Sequence, residues 1–218
     1  MTKIKICGVT LPDDAARVAA AGADFIGLNF WPKSKRYLAP ERAPMIAAAA
    51  RAASPVPGSI LVVGLFVNAL VDDITAVARD VALDAIQLHG NETAEHVMAV
   101  SLATQLPIWK AVAIGGPRDI ERLDAWQVDA LLLDAPTPGH GGSGKAFDWN
   151  LARDARRRLP ARRIVLAGGL DAGNVAAAIA AVDPWTVDVA SGVEAAPGVK
   201  DAAKIAAFVA AVRDRGRP

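Results

Sequence analysis

Short β-branched runs alternate along this chain with longer alanine-rich runs whose apolar residues return every three or four positions. The first kind reads as buried strand, the second as amphipathic helix. Strand-like runs fall at residues 3–7, 25–30, 59–66, 85–88, 108–112, 130–133, 164–167 and 186–189. A helical pattern follows each, at 12–21, 40–53, 70–81, 93–102, 118–126, 149–159, 173–181 and 201–213. Eight βα units with short links in 218 residues predict a closed parallel (β/α)8 TIM barrel rather than an open doubly wound sheet. No linker or low-complexity stretch divides the chain, so one domain over residues 1–218 is expected.

Punctuation at the helix ends agrees. Thr10-Leu11-Pro12-Asp13 offers a capping residue, an early proline and an acid at the third helical position. Gly22 stands where the first helix needs a left-handed residue to stop. Asp201 opens the last helix, and Arg213 and Arg215 lie at its end, as the helix dipole favours.

A barrel of this kind carries its chemistry at the C-terminal ends of the strands. Side chains alternate between the two faces of a strand. In the first strand Ile4 and Ile6 face the helices, which leaves Lys5 and Cys7 pointing into the barrel. The same parity turns Asp134 inward at the end of the sixth strand, Asp188 inward in the eighth, and His89 inward after the fourth.

Composition narrows the partners. The charges balance, with 24 basic and 23 acidic residues, and the one basic run, Arg156-Arg157-Arg158, reads as a solvated helix end. There is no nucleic-acid footprint. No apolar stretch reaches the length of a membrane span, and nothing after Met1 resembles a signal peptide, so a cytoplasmic protein is expected. A single cysteine forms no internal disulfide. The three histidines, His89, His96 and His140, lack metal-ligand spacing, and no metal is expected. A monomer is expected, with a homodimer as the alternative.

Each candidate chemical group has a bland reading beside it. Cys7 is a small buried filler, or a nucleophile or proton-abstracting base at the barrel mouth. Asp134 is a loop cap, or a general acid tuned by burial. His89 reads as a satisfied structural histidine. Gly168-Gly169 and Ser191-Gly192 follow the seventh and eighth strands, the pair of loops where barrels commonly bind phosphate. Their backbone N–H groups, with a short helix starting near Ser191, suit an anion. Lys33, Lys35 and Arg36 are solvated loop charges, or a clamp in which Arg36 offers a substrate carboxylate its bidentate fork. Residues 139–145 fit G-x-x-x-x-G-K, but Ala146 stands where a P-loop needs Ser or Thr to hold magnesium. The glycine-rich stretch at 138–145 therefore reads as a mobile lid.

Taken in order, these segments resemble the phosphoribosylanthranilate isomerase family of tryptophan biosynthesis. The matching stretches are Lys5-Ile6-Cys7-Gly8-Val9-Thr10, Pro32-Lys33-Ser34-Lys35-Arg36-Tyr37, Gly64-Leu65-Phe66-Val67-Asn68 and Gln87-Leu88-His89-Gly90. Leu132-Leu133-Asp134, Gly141-Gly142-Ser143-Gly144-Lys145 with Phe147-Asp148-Trp149, Ala167-Gly168-Gly169-Leu170 and Asp188-Val189-Ala190-Ser191-Gly192-Val193-Glu194 complete the set. Ala167 and Ala190 stand where many members carry serine. Pro136, close after Asp134, bears on how the lid is entered.

The resemblance implies an Amadori rearrangement of N-(5-phosphoribosyl)anthranilate to 1-(2-carboxyphenylamino)-1-deoxyribulose 5-phosphate. It implies Cys7 as general base, Asp134 as general acid, Arg36 on the anthranilate carboxylate, and Gly168, Gly169, Ser191 and Gly192 on the phosphate. No cofactor is implied, because both chemical steps are proton transfers. Two rivals remain. A related phosphosugar isomerase would carry an aspartate at the end of strand one, where this chain has Cys7. A non-catalytic phosphate-binding barrel would keep the two glycine loops without needing Cys7 and Asp134 together.

Overall fold

The computed structural model describes residues 1–136 and 148–214. The lid expected at 138–145, His140 and Arg215 lie outside the described residues. Eight parallel strands close into a barrel in sequence order. They are β1 (Lys3–Cys7), β2 (Phe25–Asn29), β3 (Leu61–Phe66), β4 (Ala85–Leu88), β5 (Ile108–Ala113), β6 (Ala130–Asp134), β7 (Arg163–Leu166) and β8 (Thr186–Val189). Closure is made between β1 and β8, where Lys5 pairs with Asp188 and Ile6 with Val189.

The helices are α1 (Pro12–Ala20), α2 (Ala43–Ala53), α3 (Val71–Val81), α4 (Ala94–Thr104), α5 (Pro117–Glu121), α6 (Trp149–Arg158), α7 (Val175–Val182) and α8 (Ala202–Arg213). Helix α3 shows how sequence makes them. Asp72 and Asp73 sit in its first turn, Ile74, Ala78 and Val81 form its buried face, and Ala82 stops it in the left-handed conformation. Thr93 and Asp201 cap α4 and α8, accepting hydrogen bonds from the His96 and Lys204 backbone N–H groups. Gly22, at φ +87°, ends α1 as expected.

Three expectations need correction. Thr10 does not cap α1. Leu11 occupies the cap position without a side-chain bond, and the Thr10 hydroxyl donates instead to the Gly198 carbonyl at 2.6 Å. The helix expected at 118–126 is broken into α5 and a 3-10 turn at Leu123–Ala125. A small antiparallel pair, β9 (Glu194–Ala196) and β10 (Val199–Lys200), follows the eighth strand and was not expected.

Two apolar layers hold the barrel. Ile4, Ile6, Leu131, Leu133, Ile164 and Leu166 are fully buried between strands and helices. Inside, Phe25, Trp109 and Trp185 meet edge to face, with ring centroids 5.0, 5.7 and 5.5 Å apart, and plug the N-terminal end. That end also carries a repeated device. Asp24, Asp84 and Asp129 stand just before β2, β4 and β6, and accept from the backbone N–H of Ile4, Val62 and Ile108 in the preceding strand. Each carboxylate ties the start of one strand to its neighbour, which leaves the opposite rim for chemistry.

Candidate active site

Strand parity holds in the structure. Ile4 and Ile6 pack against the helices, and Lys5 and Cys7 lie on the interior face of β1. Cys7 is buried against Leu65 and Val67 at the C-terminal mouth. Directly across the β1–β2 pair is Gly27. A Cβ there would lie 2.7 Å from the Cys7 sulfur and 3.2 Å from Lys5 Nζ, so the glycine leaves the space those two groups occupy. Lys5 is fully buried and pairs with Asp188 at 3.0 Å.

Asp134 ends β6 on the same rim. Its Oδ1 accepts from the Ala135 backbone N–H at 2.8 Å. Burial, with the Asp188 charge adding to it and the Ala135 bond opposing, pushes its carboxyl up from 3.8 to about 6. His89 Nε2 lies 3.8 Å from Asp134 Oδ2, and His89 Nδ1 is 2.9 Å from Gln87 Nε2. His89 therefore stands beside the candidate acid, a closer relation than its strand position alone indicates.

The Cys7 thiol feels opposing influences. Burial pushes it above its ordinary value of 9.0, Lys5 pulls it down, Asp188 pushes it up and Lys200 pulls it down. Burial prevails, so the resting group is a thiol.

Arg36 lies over Gly8. That glycine has φ +72°, and any Cβ on it would collide with the Arg36 stem. The guanidinium is committed on one edge: Nε and NH2 donate to the two Glu194 oxygens, at 2.7 Å each. Glu194 also accepts from Lys200 Nζ at 2.9 Å and from the Gly198 backbone N–H at 3.1 Å. Lys200 Nζ in turn donates to the Cys7 carbonyl at 2.5 Å and the Ala190 carbonyl at 3.3 Å. One buried network thus joins Arg36, the backbone of Cys7 and the residue preceding Ser191. Neither Glu194 nor Lys200 was assigned a role from sequence. The Pro197-Gly198 dipeptide was the available signal, marking the turn between β9 and β10 that carries them.

The two glycine loops form one lip. Gly168 and Gly169 adopt φ +91° and +67°, open to glycine with little cost. Ser191 starts a 3-10 turn (Ser191–Val193). A Cβ on Gly192 would strike the Leu170 carbonyl, so the loops after β7 and β8 touch backbone to backbone there. Among the described residues, the backbone N–H groups of Gly168, Gly169, Ser191 and Gly192 find no protein acceptor. Lys33 and Lys35 are exposed, outside this convergence. Among the described residues, no group of three His, Cys, Asp or Glu side chains could hold a metal ion, and no helix is long and apolar enough to cross a membrane.

The family model described as N-(5'phosphoribosyl)anthranilate (PRA) isomerase matches residues 4–211. The chain belongs to this family. An N-(5'-phosphoribosyl)anthranilate isomerase of Geobacter sp. (strain M21) is 46% identical over 211 residues, 96% of this chain and 97% of that protein. The crystal structure of phosphoribosyl anthranilate isomerase from Thermotoga maritima superposes with a TM-score of 0.87 at 42% identity, covering 98% of this chain and all of that one (100%). A further isomerase structure, solved in complex with reduced 1-(o-carboxyphenylamino)-1-deoxyribulose 5-phosphate, gives a TM-score of 0.84 at 39% identity, with 98% and 100% covered. The family's fold is thus present from end to end of the match, with its chemistry to be sought on the rim that carries Cys7 and Asp134.

Proposed function

We propose that Cys7 and Asp134 carry out the isomerisation of this family in the chain, converting N-(5-phosphoribosyl)anthranilate to 1-(2-carboxyphenylamino)-1-deoxyribulose 5-phosphate. The observation that carries this reading is the convergence on one rim of a buried thiol, a largely buried carboxyl and a lip of backbone N–H groups that find no acceptor among the described residues.

In the first step Asp134 donates its proton to the ribose ring oxygen as the bond from that oxygen to the anomeric carbon breaks. The nitrogen lone pair forms the C=N bond of a Schiff base. In the second step the Cys7 thiolate removes the proton from the adjacent sugar carbon, and the electrons of that C–H bond move to give an enolamine. The enolamine then tautomerises to the ketone, gaining a proton at the former anomeric carbon and losing the hydroxyl proton. One proton is given and one is taken, and nothing is oxidised overall, so the chemistry calls for no cofactor. Each placed acid or base contributes about 10²–10⁴-fold in rate.

The resting protonation is the reverse of the productive one. Above about pH 6 Asp134 is ionised, while burial keeps Cys7 a thiol. Reaching the reactive pair amounts to moving one proton from Cys7 to Asp134, with no change in net charge. Substrate binding has to favour that relocation.

Gly168, Gly169, Ser191 and Gly192 would hold the phosphate through backbone N–H groups, so Ala167 and Ala190 need supply no hydroxyl. Arg36 would hold the anthranilate carboxylate. Its Nε–NH2 edge belongs to Glu194, so the substrate takes the opposite edge, NH1 with the second N–H of NH2. A monomer is the working unit in this reading, with a homodimer as the alternative. The setting is the cytoplasm and the partner a phosphorylated small molecule.

The test is a steady-state assay following loss of the anthranilate substrate's fluorescence on adding the purified chain. Conversion without added metal or cofactor is expected. Tight phosphate-ligand binding without conversion would replace the enzyme by a binding barrel.

A further inference from the structure

Lys5 has no part in the proton transfers described above, yet it is among the largest fully buried side chains of the described residues. A buried ammonium is expensive unless it is paired, and a hydrophobic residue would fill the same space at lower cost. Its salt bridge to Asp188, at 3.0 Å, answers the pairing but not the reason for a charge at the centre of the barrel. Three features of the surroundings supply that reason. Lys5 and Cys7 stand two residues apart on the same interior face of β1. Gly27 leaves open the slot between them, where a single Cβ would touch both Cys7 Sγ and Lys5 Nζ. Asp188 lies opposite Lys5 in the β1–β8 register, so it holds the ammonium from the other side.

We propose that Lys5 is a positioning residue for the reaction: its ammonium, held by Asp188 and given room by Gly27, is the counter-ion of the Cys7 thiolate. This rests on the reading of Cys7 as the base. Lys5 lowers the cost of moving the proton from Cys7 to Asp134. Asp188 works in both directions, because it fixes Lys5 in place while its own charge disfavours a thiolate beside it. The attraction is mutual. Although burial pulls the Lys5 ammonium down, Asp188 and then Cys7 draw it up, and the net direction is upward. The other charged groups facing Cys7 are Lys200 on β10, which favours the thiolate, and Arg36 in the loop after β2, itself neutralised by Glu194. On β2 the facing residue is Gly27, which carries no charge.

The lone thiol makes the test direct. Thiolate ultraviolet absorbance is titrated for the whole chain, with Cys7→Ala as the blank that removes the tyrosine contribution. Lys5→Met is expected to move the thiol titration up by about one pH unit or more. It should lower kcat/KM at neutral pH by the same factor. Asp188→Asn is expected to move the titration down, a sign that a merely structural role would not produce. If Lys5→Met alone does not fold, Lys5→Met/Asp188→Asn is compared with Asp188→Asn, and the same upward shift is expected. An unchanged thiol titration in a folded Lys5 variant overturns the proposal. So does a downward shift in that variant. A shifted titration with kcat/KM unchanged overturns the assignment of Cys7 as base, and with it the catalytic purpose of Lys5, while the ion pair itself is retained.

Discussion

Arg36 grips Glu194 through two parallel N–H···O hydrogen bonds of 2.7 Å. Both side chains are largely buried, with 13% and 5% of their surfaces exposed. The carboxylate is held well ionised: burial raises it, but Arg36 and Lys200 together carry it below its ordinary value. Glu194 thereby decides which edge of the guanidinium is turned to a substrate carboxylate.

Glu194→Gln should therefore act on substrate capture before chemistry. Losing a charge-assisted bidentate pair costs about 1.5–3 kcal/mol, so KM is expected to rise by roughly ten- to a hundredfold, with a smaller fall in kcat. Steady-state kinetics separate the two. An unchanged KM would remove Arg36 from the carboxylate site.

Asp134 carries a stability cost that has a definite pH dependence. Its folded value of about 6 lies above the ordinary 3.8, so the folded chain prefers the protonated group. Any stability this group gives is present in full below 3.8 and is lost as the pH rises through about 6. Asp134→Asn keeps an acceptor for the Ala135 N–H and removes the buried charge. Chemical denaturation should find it more stable than the parent by on the order of 2–3 kcal/mol above pH 6, with the advantage fading toward pH 4. A variant less stable than the parent at neutral pH would contradict the burial argument.

The opposite rim separates folding from chemistry. Asp84 accepts from the Val62 N–H at 2.7 Å and meets Arg51 at 3.0 Å, at the N-terminal end of the barrel. Asp84→Ala is expected to lower stability by about 1–2 kcal/mol and leave kcat/KM unchanged. Denaturation and kinetics on the same preparation check both parts. A large loss of kcat/KM in the folded variant would mean the two rims are coupled.

Much of this was legible in the sequence because period and punctuation are local. The bounds of β1, β4 and β8 fall where the β-branched runs place them, and the parity that put Cys7, Asp134 and Asp188 inside follows from a period of two. What escaped depends on closure. The Lys5–Asp188 pair and the Lys200–Cys7 contact link residues 183 and 193 positions apart, which meet only when β8 returns to β1. Thr10 has the character of a helix cap, but the β9–β10 turn brings the Gly198 carbonyl within reach of its hydroxyl. By residue type, the Arg36 fork suits a carboxylate. That one edge clamps Glu194 of the same chain is a fact of tertiary structure.

The central claim is that Cys7 and Asp134 move the two protons. The measurement that tests it most directly is single-turnover conversion by Cys7→Ala and Asp134→Asn, with product affinity measured on the same samples. Each variant is expected to lose about 10²–10⁴-fold or more in rate while binding product nearly as the parent does. Near-parental turnover by a folded Cys7→Ala variant would contradict the account.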